Sequence, residues 1–439
     1  MLFYWKAGCP KNFMSKYFKF TRRGGPISIS LSPNVEKDDV KLALNLIIRP
    51  WLWKRGKAIN NLEDKFKKYL GVKYAVSFNS GRSAFYAILK ALKEVDGLKN
   101  GDNVALQAFT CNASINPVLW AGLKPLYIDC NENDFNISAE DLKKKINVKT
   151  RAVIVQHTFG LPADMDNIRA ICAENNLILI EDCAHSLGAE YNGVKVGSHS
   201  KVAFFSFSRD KIISSVYGGM AVTNDPSLAD KLRQAQDEFG MPNSLWVLQQ
   251  LLHPILLYYI ILPVYNFLDL GKIFLILSQW LHILSKAVHW KEKRGQRPDY
   301  FPKALPNALA VMAINQFEKL GNFNNHRRKI TDYYYENLKD TEFILPPKLS
   351  SVFLRFTIKH QKAHEIIYKA WHKQNILLGD WYTTPIAPFD TKLEQMHYKI
   401  GVCPNAEKLA KMTLNLPTHI NISQKDAERI IKFLKKNEN

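Results

Sequence analysis

The sequence predicts an α/β protein built on one large, mostly parallel sheet. Short apolar runs alternate with longer segments of helical period through the first half of the chain. This alternation is typical of parallel strands joined by helices that cover both faces of a sheet. With 439 residues, 46% of them hydrophobic, the chain can also bury enough core for two domains.

A helical region precedes the first strand, and the strands then follow at regular intervals. The periodicity is helical from about residue 36 to 70, and NNLEDKFKKYLG predicts an amphipathic helix that ends at Gly71. The segment YAVSF is predicted as a strand and GRSAFYAILKAL as the helix after it. Further strands are predicted for NVALQAF, KPLYID, RAVIVQHT, LILIED, VAFFSF and GGMAVTN, and further helices before Gly122 and in DMDNIRAICAENN.

Polar residues and glycines after three of these strands are the first candidates for a site, because ligands of α/β sheets bind beyond the carboxyl ends of the strands. NSGRSA, residues 79–84, opens a helix, where backbone N–H groups bind phosphate, although Ser and Gly are also ordinary caps. Asp182 ends LILIED, where a buried carboxylate is costly unless it is paired; a structural hydrogen bond or helix cap is the alternative. Lys211 follows VAFFSF, although a lone lysine is usually a solvated surface charge.

Together these features match the chemistry of pyridoxal phosphate (PLP). This cofactor needs a lysine for its aldehyde and a carboxylate that keeps its pyridine nitrogen protonated, so that the ring accepts electrons. It also needs a site for its phosphate. A phosphate segment, then an aspartate, then a lysine is the chain order of fold-type I PLP enzymes. The sequence therefore predicts a PLP enzyme.

Charge and cysteine content limit the partners and the compartment. The 60 basic and 40 acidic residues give a net charge of +20, which favours phosphorylated molecules, acidic membranes or nucleic acid. The sequence has no zinc finger, RNA-binding motif or Arg-rich recognition helix, so we expect no nucleic-acid partner. The spacing of its six cysteines fits neither a disulfide framework nor a zinc site, which predicts a cytoplasmic protein without a metal.

Five ordered segments resemble the DegT/StrS-type (DegT/DnrJ/StrS) sugar aminotransferases. These are NSGRSAFYAIL, TCNASINPVLWAGLKPLYID, LILIEDCAHSLGAEYNGVKVGS, FFSFSRDKIISSVYGG and CPNAEKLAKMTLNLPTHINISQKDAERII. The resemblance implies a fold-type I PLP transferase, with a large sheet domain and a small C-terminal α+β domain. It also implies a ping-pong transfer of an amino group from glutamate to a keto-sugar, nucleotide-linked, for a surface polysaccharide.

The resemblance also implies roles for individual residues. Lys211 would hold the cofactor covalently and move the proton, and Asp182 would pair with the pyridine nitrogen. His185 would lie against the ring or its phenolic oxygen; a satisfied core histidine is the alternative. The expected phosphate ligands are the backbone of Gly81 and Arg82 and the hydroxyls of Ser83 and Ser206.

Several positions depart from the family pattern. Arg82 replaces a threonine, and its guanidinium either adds a phosphate contact or points to solvent. Cys111 stands where a ring-stacking aromatic is common, which leaves Phe109 as a substitute, and Ser208 replaces a histidine. YFPKALP, residues 300–306, replaces a Tyr-Asn-Tyr-Arg segment that sends an asparagine into the neighbouring subunit's phosphate site. We still expect a homodimer.

An apolar segment, residues 245–290, interrupts the resemblance and contains one acid, Asp269. Site residues precede it and the C-terminal domain follows it, so it cannot cross a membrane once. We expect a helical pair lying in the membrane interface, at the inner face of the cell membrane, helped by the basic, aromatic N-terminus. A helical pair buried in a dimer interface or over the active site is the alternative. The predicted domains are an arm over 1–35, the PLP-binding domain over 36–244, the insert over 245–298, and a dimer-region helix with the small domain over 299–439.

Two other functions are open at this point. One is a PLP-dependent sugar dehydratase of the same family, but those relatives have a histidine in place of the lysine at 211. The other is a non-catalytic, membrane-associated scaffold. The presence of Lys211 argues against the dehydratase, and the presence of both Asp182 and Lys211 argues against the scaffold.

Overall fold

The computed structural model describes residues 26–349 and 351–438, and a seven-stranded sheet lies at its centre. Strands β1 to β7 are Tyr74–Phe78, Asn103–Gln107, Lys124–Ile128, Thr150–Gln156, Ile178–Asp182, Val202–Ser206 and Gly219–Thr223. Their order across the sheet is β1-β7-β6-β5-β4-β2-β3, and only β7 runs antiparallel to its neighbours. The predicted strands and the mostly parallel sheet are confirmed.

Helices surround this sheet and build the rest of the chain. Helices α1 to α14 are Lys37–Ile47, Ala58–Leu70, Gly81–Val95, Asn112–Trp120, Ala139–Lys145, Met165–Glu174, Pro226–Phe239, Ser244–Leu256, Leu270–Trp280, Asn307–Glu318, Leu320–Leu338, Ala363–Gln374, Pro404–Met412 and Gln424–Lys435. The amphipathic helix predicted before the first strand is α2, which ends at Gly71 as expected.

Both faces of the sheet are covered, which explains why its strands are apolar at successive positions. In β6, the Phe204 ring stacks on Phe85 of α3 with centroids 4.7 Å apart. The next residue, Phe205, points to the other face and meets Phe66 of α2 at 5.5 Å. Alternate residues of one strand therefore enter two separate cores.

The C-terminal part of the chain forms a small α+β unit. Strands β8, Arg355–Lys359, and β9, Thr413–Pro417, pair antiparallel and are accompanied by α12, α13 and α14. At its edge, Ile27–Ser28 pairs in parallel with Ile376–Leu377. Residues 27 and 28 of the predicted N-terminal arm thus belong to the small unit, and residues 1–25 lie outside the described residues. The other two-residue pairs are Thr110–Cys111 with Ile386–Ala387 and Glu190–Tyr191 with Val194–Lys195.

The apolar insert is a helical pair whose two limbs differ in burial. The first limb, α8, packs against α1 and α10, and it continues into a π-helical turn, Leu257–Ile261. The second limb, α9, buries only Gly271. The stretch Ser244–Ile261 is long and apolar enough to cross a membrane, by length and composition alone, and 44% of it is buried inside the protein.

The two ends of the insert meet. The side-chain amide of Gln249 donates to the carbonyl oxygen of His282 at 2.6 Å. The Ser285 hydroxyl donates to Oε1 of Gln250 at 2.8 Å. The insert therefore leaves the main body and returns to it at one place, as the sequence requires of a segment between two parts of one enzyme.

Candidate active site

The carboxyl edge of the sheet brings the predicted residues together. Asp182 ends β5, and Ser206 ends the neighbouring β6. Helix α3 starts at Gly81, shortly after β1. A Cβ built on Gly81 would lie 2.8 Å from the Cβ of Ser206, so these two predicted phosphate ligands lie side by side.

The N-terminus of α3 is closely packed. A Cβ on Gly219 of β7 would lie 2.4 Å from the carbonyl group of Ser80, so this approach requires glycine. The Ser80 hydroxyl caps α3 by accepting the N–H of Ser83 at 3.0 Å. The Ser83 hydroxyl donates to Oδ1 of Asn79 at 2.7 Å. Ser83 thus holds the helix start together, and its contact with a phosphate stays a prediction.

Asp182 is a buried carboxylate, only 2% exposed. Its Oδ2 accepts the Ser114 hydroxyl at 2.9 Å, and its Oδ1 accepts the N–H of Ala184 at 3.0 Å. Burial raises the pKa of Asp182, and these bonds and the charge of Lys211 offset the increase only in part. A further positive group would stabilise this carboxylate, and a protonated pyridine nitrogen is such a group. The site therefore fits PLP.

Lys211 lies in the loop after β6 with its ammonium group 5.0 Å from the ring centroid of Trp381. Burial lowers the pKa of Lys211 to about 8, against the opposite effect of the Asp182 charge. The Arg355 guanidinium lies 3.4 Å from the centroid of the same Trp381 ring, and its charge lowers this pKa further. A neutral amine is the form that attacks an aldehyde, so the lowered pKa suits the predicted covalent attachment.

His185 is held between two aromatic rings. Its ring stacks on Phe159 at 6.0 Å and on Trp381 at 5.3 Å, and its Nδ1 accepts the N–H of Phe159 at 3.3 Å. Burial, with the charges of Lys211 and Arg355, lowers the pKa of His185 well below its usual range. The imidazole is therefore neutral and fixed, and its contact with the cofactor stays a prediction.

The side chain of Arg82 does not point to solvent, and that alternative is wrong. Its guanidinium is 9% exposed, forms an ion pair with the fully buried Glu292, and lies 4.5 Å from the ring centroid of Phe301. Burial alone would lower the pKa of Arg82, but the carboxylate of Glu292 raises it overall. The insert's returning limb is therefore anchored on the helix that starts the phosphate segment.

The segment YFPKALP returns beside the phosphate segment of its own chain. The N–H of Asn79 donates to the carbonyl oxygen of Lys303 at 2.9 Å. The Asn79 side-chain amide donates to the carbonyl oxygen of Tyr300, also at 2.9 Å. This wall of the site is thus built within one chain, where the resemblance implies an asparagine from a neighbouring subunit.

Aromatic residues near Lys211 differ from the expectation. Phe109 is fully buried in a cluster with Phe135, Phe159 and Tyr382, at centroid distances of 6.0, 6.1 and 5.4 Å. Its role as a ring-stacking substitute stays a prediction. The aromatic ring that lies beside Lys211 is Trp381.

Sequence analysis missed three residues around Lys211: Asn34, Arg355 and Trp381. The side-chain amide of Asn34 donates to the carbonyl oxygens of Lys211 at 2.6 Å and Ile212 at 2.9 Å. Asn34 is 177 positions from Lys211, and no local pattern joins residues so far apart. Asn34 and Lys211 meet only because the tertiary fold places their two segments side by side.

The sequence also matches a model of a known protein family. The DegT/DnrJ/EryC1/StrS aminotransferase family matches residues 33–250 and 290–435. The chain belongs to this family. The unmatched residues, 251–289, lie within the apolar insert. The predicted family, aminotransferase class and cofactor are thereby confirmed.

Several curated members of the DegT family are similar to the chain. GDP-perosamine synthase of Caulobacter vibrioides is 35% identical over 92% of this chain and 96% of its own length. GDP-perosamine synthase of Vibrio cholerae is 35% identical over 47% of this chain and 55% of its own length. UDP-N-acetyl-3-dehydro-alpha-D-glucosamine 3-aminotransferase of Acidithiobacillus ferrooxidans is 27% identical over 91% of this chain and 94% of its own length.

Two solved structures confirm the predicted fold class. Helicobacter pylori PseC, an aminotransferase of pseudoaminic acid biosynthesis, superposes with a TM-score of 0.73 at 22% identity, over 94% of this chain and 99% of PseC. The GDP-4-keto-6-deoxymannose-3-dehydratase ColD superposes with a TM-score of 0.72 at 21% identity, over 94% of this chain and 100% of ColD. At these identities the likeness concerns the fold, which is shared by aminotransferases and dehydratases.

Proposed function

We propose that the protein is an aminotransferase of nucleotide sugars, which moves an amino group from glutamate to a keto-sugar for a surface polysaccharide. The observation that carries this proposal is the placement of Lys211 and the buried Asp182 at one sheet edge, beside Gly81 and Ser206. The names of the curated relatives support the substrate class, because they include GDP-linked and UDP-linked amino sugars.

The residues of this chain divide the work of such a reaction. PLP, when bound, supplies an electron sink for the carbon that loses or gains nitrogen. Lys211 holds the cofactor and, once released, moves a proton at its Nζ. Asp182, oriented by Ser114 and Ala184, keeps the pyridine nitrogen protonated. Arg355, a buried cation beside Trp381, is placed to attract a carboxylate of the amino donor.

A dehydratase is the second candidate, since ColD shares the fold. The presence of Lys211 favours transamination. An aminotransferase needs a lysine that re-forms the covalent link to the cofactor after each amino transfer, whereas an enzyme that only dehydrates its substrate does not. A scaffold without catalysis would not need Asp182 and Lys211 at one edge of the sheet. Aminotransferase activity is therefore the function that the site supports best.

We also propose that the exposed limb of the insert contacts an anionic membrane surface at the inner face of the cell membrane. Helix α9 exposes Ile273, Phe274, Ile276, Leu277 and Trp280, and the neighbouring connections expose Phe267, Leu268, Leu281 and Trp290. Exposed apolar patches of this kind are typical of contact surfaces. The exposed Lys286, Arg294 and Arg297 lie close by in the chain, and their charge fits acidic headgroups.

A homodimer is the third part of the proposal. The family resemblance supports it, whereas the return of residues 300–306 to their own chain's phosphate segment removes one reason for a shared site. Light scattering of the purified full chain measures the mass directly. A monomer with full activity would contradict the dimer and leave the aminotransferase proposal standing.

A half-reaction test checks the proposed function. The full chain, loaded with PLP, should transfer the glutamate nitrogen to the cofactor and then to a GDP-linked or UDP-linked keto-sugar. Borohydride reduction and peptide mapping should place the label on Lys211. The Lys211→Arg variant should lose the label and the activity, whereas Lys41→Arg, at an exposed lysine, should keep both. A label on another lysine, or no transfer to any keto-sugar tried, would contradict the proposal.

A further inference from the structure

Arg209 lies two residues before Lys211 and has no acidic partner among the residues that the structure describes. Its Nη1 donates to the carbonyl oxygen of Ser285 at 2.7 Å, its Nη2 donates to the Ser285 hydroxyl, and its guanidinium lies 5.3 Å from the ring centroid of Tyr217. Its Nε is buried and has no hydrogen-bond partner within the described residues. The Arg209 side chain as a whole is partly exposed. A cationic group that has lost part of its water without gaining a counter-charge is costly.

The acidic residues nearby are engaged elsewhere. Glu292 is paired with Arg82, and Asp210 faces Arg355 at 3.9 Å. Among residues 26–349 and 351–438, no carboxylate forms an ion pair with Arg209. Burial lowers the pKa of Arg209, and the charge of Asp210 offsets this decrease only in part. This corner of the site therefore has one positive charge more than it has negative charges.

A second side chain at this corner is also unsatisfied. His253 of α8 is 3% exposed, and neither of its ring nitrogens has a partner among the described residues. Burial, with the charge of Arg209, lowers the pKa of His253 well below its usual range, so the imidazole is neutral and still carries one N–H. The Nε–H of Arg209 and the ring N–H of His253 are thus two donors without acceptors among the described residues, and together they could bind an anion.

We propose that Arg209 binds a phosphate group at the corner where the insert covers the Lys211 loop. The proposal rests on the proposed function and adds to it a residue and a role. The cofactor's phosphate is the favoured source, because Arg209 follows Ser206 closely in the chain and Ser206 lies against Gly81 at the start of α3. The diphosphate of a nucleotide sugar has the same chemistry and is the other source.

The insert orients this arginine. The carbonyl and hydroxyl oxygens of Ser285 accept hydrogen bonds from the Arg209 guanidinium. The Ser285 hydroxyl in turn donates to the side chain of Gln250 in α8. Helix α8, through Gln250, and the connection after α9, through Ser285, thus fix the guanidinium in one position. The insert thereby forms a wall of the binding site within one chain, on the side where the family resemblance implies a neighbouring subunit.

Titration of the full chain, freed of cofactor, with PLP and with pyridoxal tests the proposal. Pyridoxal has the aldehyde but no phosphate, and both ligands are followed by the absorbance of the lysine-bound form. Arg209→Ala should weaken PLP at least about tenfold, since a charge-assisted hydrogen bond is lost, and should leave pyridoxal unchanged. Arg209→Lys should bind PLP with an affinity between those of the parent protein and Arg209→Ala. Arg151→Ala, at an exposed arginine, should bind both like the parent protein.

Calorimetry of the PLP-loaded proteins with GDP and UDP distinguishes the two sources. A loss confined to PLP assigns Arg209 to the cofactor, and a loss confined to the nucleotides assigns it to the substrate. Unchanged binding of all ligands in both Arg209→Ala and Arg209→Gln would overturn the proposal, as would an equal loss for PLP and pyridoxal. If the parent protein forms no absorbance band with either aldehyde, the proposed function fails, and calorimetry of the cofactor-free proteins with GDP and UDP still reports on Arg209.

Discussion

The side-chain amide of Asn34 donates a hydrogen bond of 2.6 Å to the carbonyl oxygen of Lys211. The same amide reaches the carbonyl oxygen of Ile212, and its Oδ1 accepts Nη2 of the buried Arg327 at 2.9 Å. Nη1 of Arg327 donates to the Thr418 hydroxyl in the small unit at 3.2 Å. The backbone of the Lys211 loop is thus fixed through Asn34 to residues far along the chain.

Asn34→Asp tests this link, because it keeps the acceptor for Arg327 and removes the donor to Lys211. We expect stability to fall by about 1–3 kcal/mol, since two buried carbonyl groups lose their donor. We expect turnover to fall by up to about a hundredfold, because Lys211 is less well positioned. Urea denaturation and half-reaction rates measure the two effects. Asn34→Asp with parental turnover would show that the bond does not position Lys211.

The pKa of Lys211 predicts how cofactor attachment depends on pH. Burial lowers this pKa to about 8, so the neutral, nucleophilic amine increases as the pH rises through that value. The rate of PLP capture by the cofactor-free full chain should therefore rise over the same range and level off above it. Stopped-flow absorbance, from two pH units below to two above, measures the profile. A rate still rising at the highest pH would mean that the pKa is close to that of an ordinary lysine.

Asp182→Asn should keep the covalent link to Lys211 but lose most of the transamination. An amide cannot keep the pyridine nitrogen protonated, and we expect turnover with glutamate to fall about a hundredfold or more. Absorbance reports the link, and the glutamate half-reaction reports the chemistry. Asp340→Asn, at an exposed carboxylate, is the control and should change neither. Near-parental turnover in Asp182→Asn would exclude this carboxylate as the partner of the pyridine nitrogen.

The Arg82–Glu292 pair predicts a marked non-additivity. Glu292→Gln should destabilise the fold by about 3–5 kcal/mol, because it leaves the Arg82 cation buried without its partner. The double variant Arg82→Gln/Glu292→Gln should be more stable than the single variant, since it removes both charges. Urea denaturation of the parent protein, both single variants and the double variant measures the four free energies of unfolding that define the non-additivity. Glu140→Gln, in an exposed pair with Lys144, should leave stability unchanged.

The membrane proposal predicts binding to acidic vesicles. The full chain should sediment with phosphatidylglycerol vesicles, and replacing Ile273, Phe274, Ile276, Leu277 and Trp280 by Gln should lower the partition at least about tenfold. Replacing Ile48, Trp51, Val148 and Ile400, apolar residues elsewhere that are mostly more exposed than those of α9, should not lower it. The membrane proposal is wrong if the parent protein does not sediment with the vesicles. If the α9 variant is then a monomer where the parent protein is a dimer, the exposed limb is a subunit interface.

The sheet and the residues at its edge could be predicted, because both depend on local patterns. Apolar runs mark strands that are buried on two faces, and ligand-binding residues follow such strands in this class of fold. Asp182 and Lys211 were found in that way. Pairs such as Arg82 with Glu292, which lie 210 positions apart, leave no trace in the periodicity of either segment.

The insert shows a second limit of sequence patterns. Its two helical limbs are similarly apolar, yet α8 buries six of its residues and α9 buries only Gly271. The difference depends on neighbours, since α8 finds α1 and α10 beside it. Composition predicts that a helix needs an apolar environment, but only the fold decides whether the rest of the chain supplies it.

The meeting of the two ends of the insert has an evolutionary consequence. The residues that the family model does not match, 251–289, begin just after Gln250, and the contacts of Gln249 with His282 and of Gln250 with Ser285 join the start of this stretch to its end. A stretch of coding sequence placed there can be gained or lost in frame in a single event, and the chain on either side keeps its course. The family fold can thus carry an additional apolar surface without any change in the order of the strands in its central sheet.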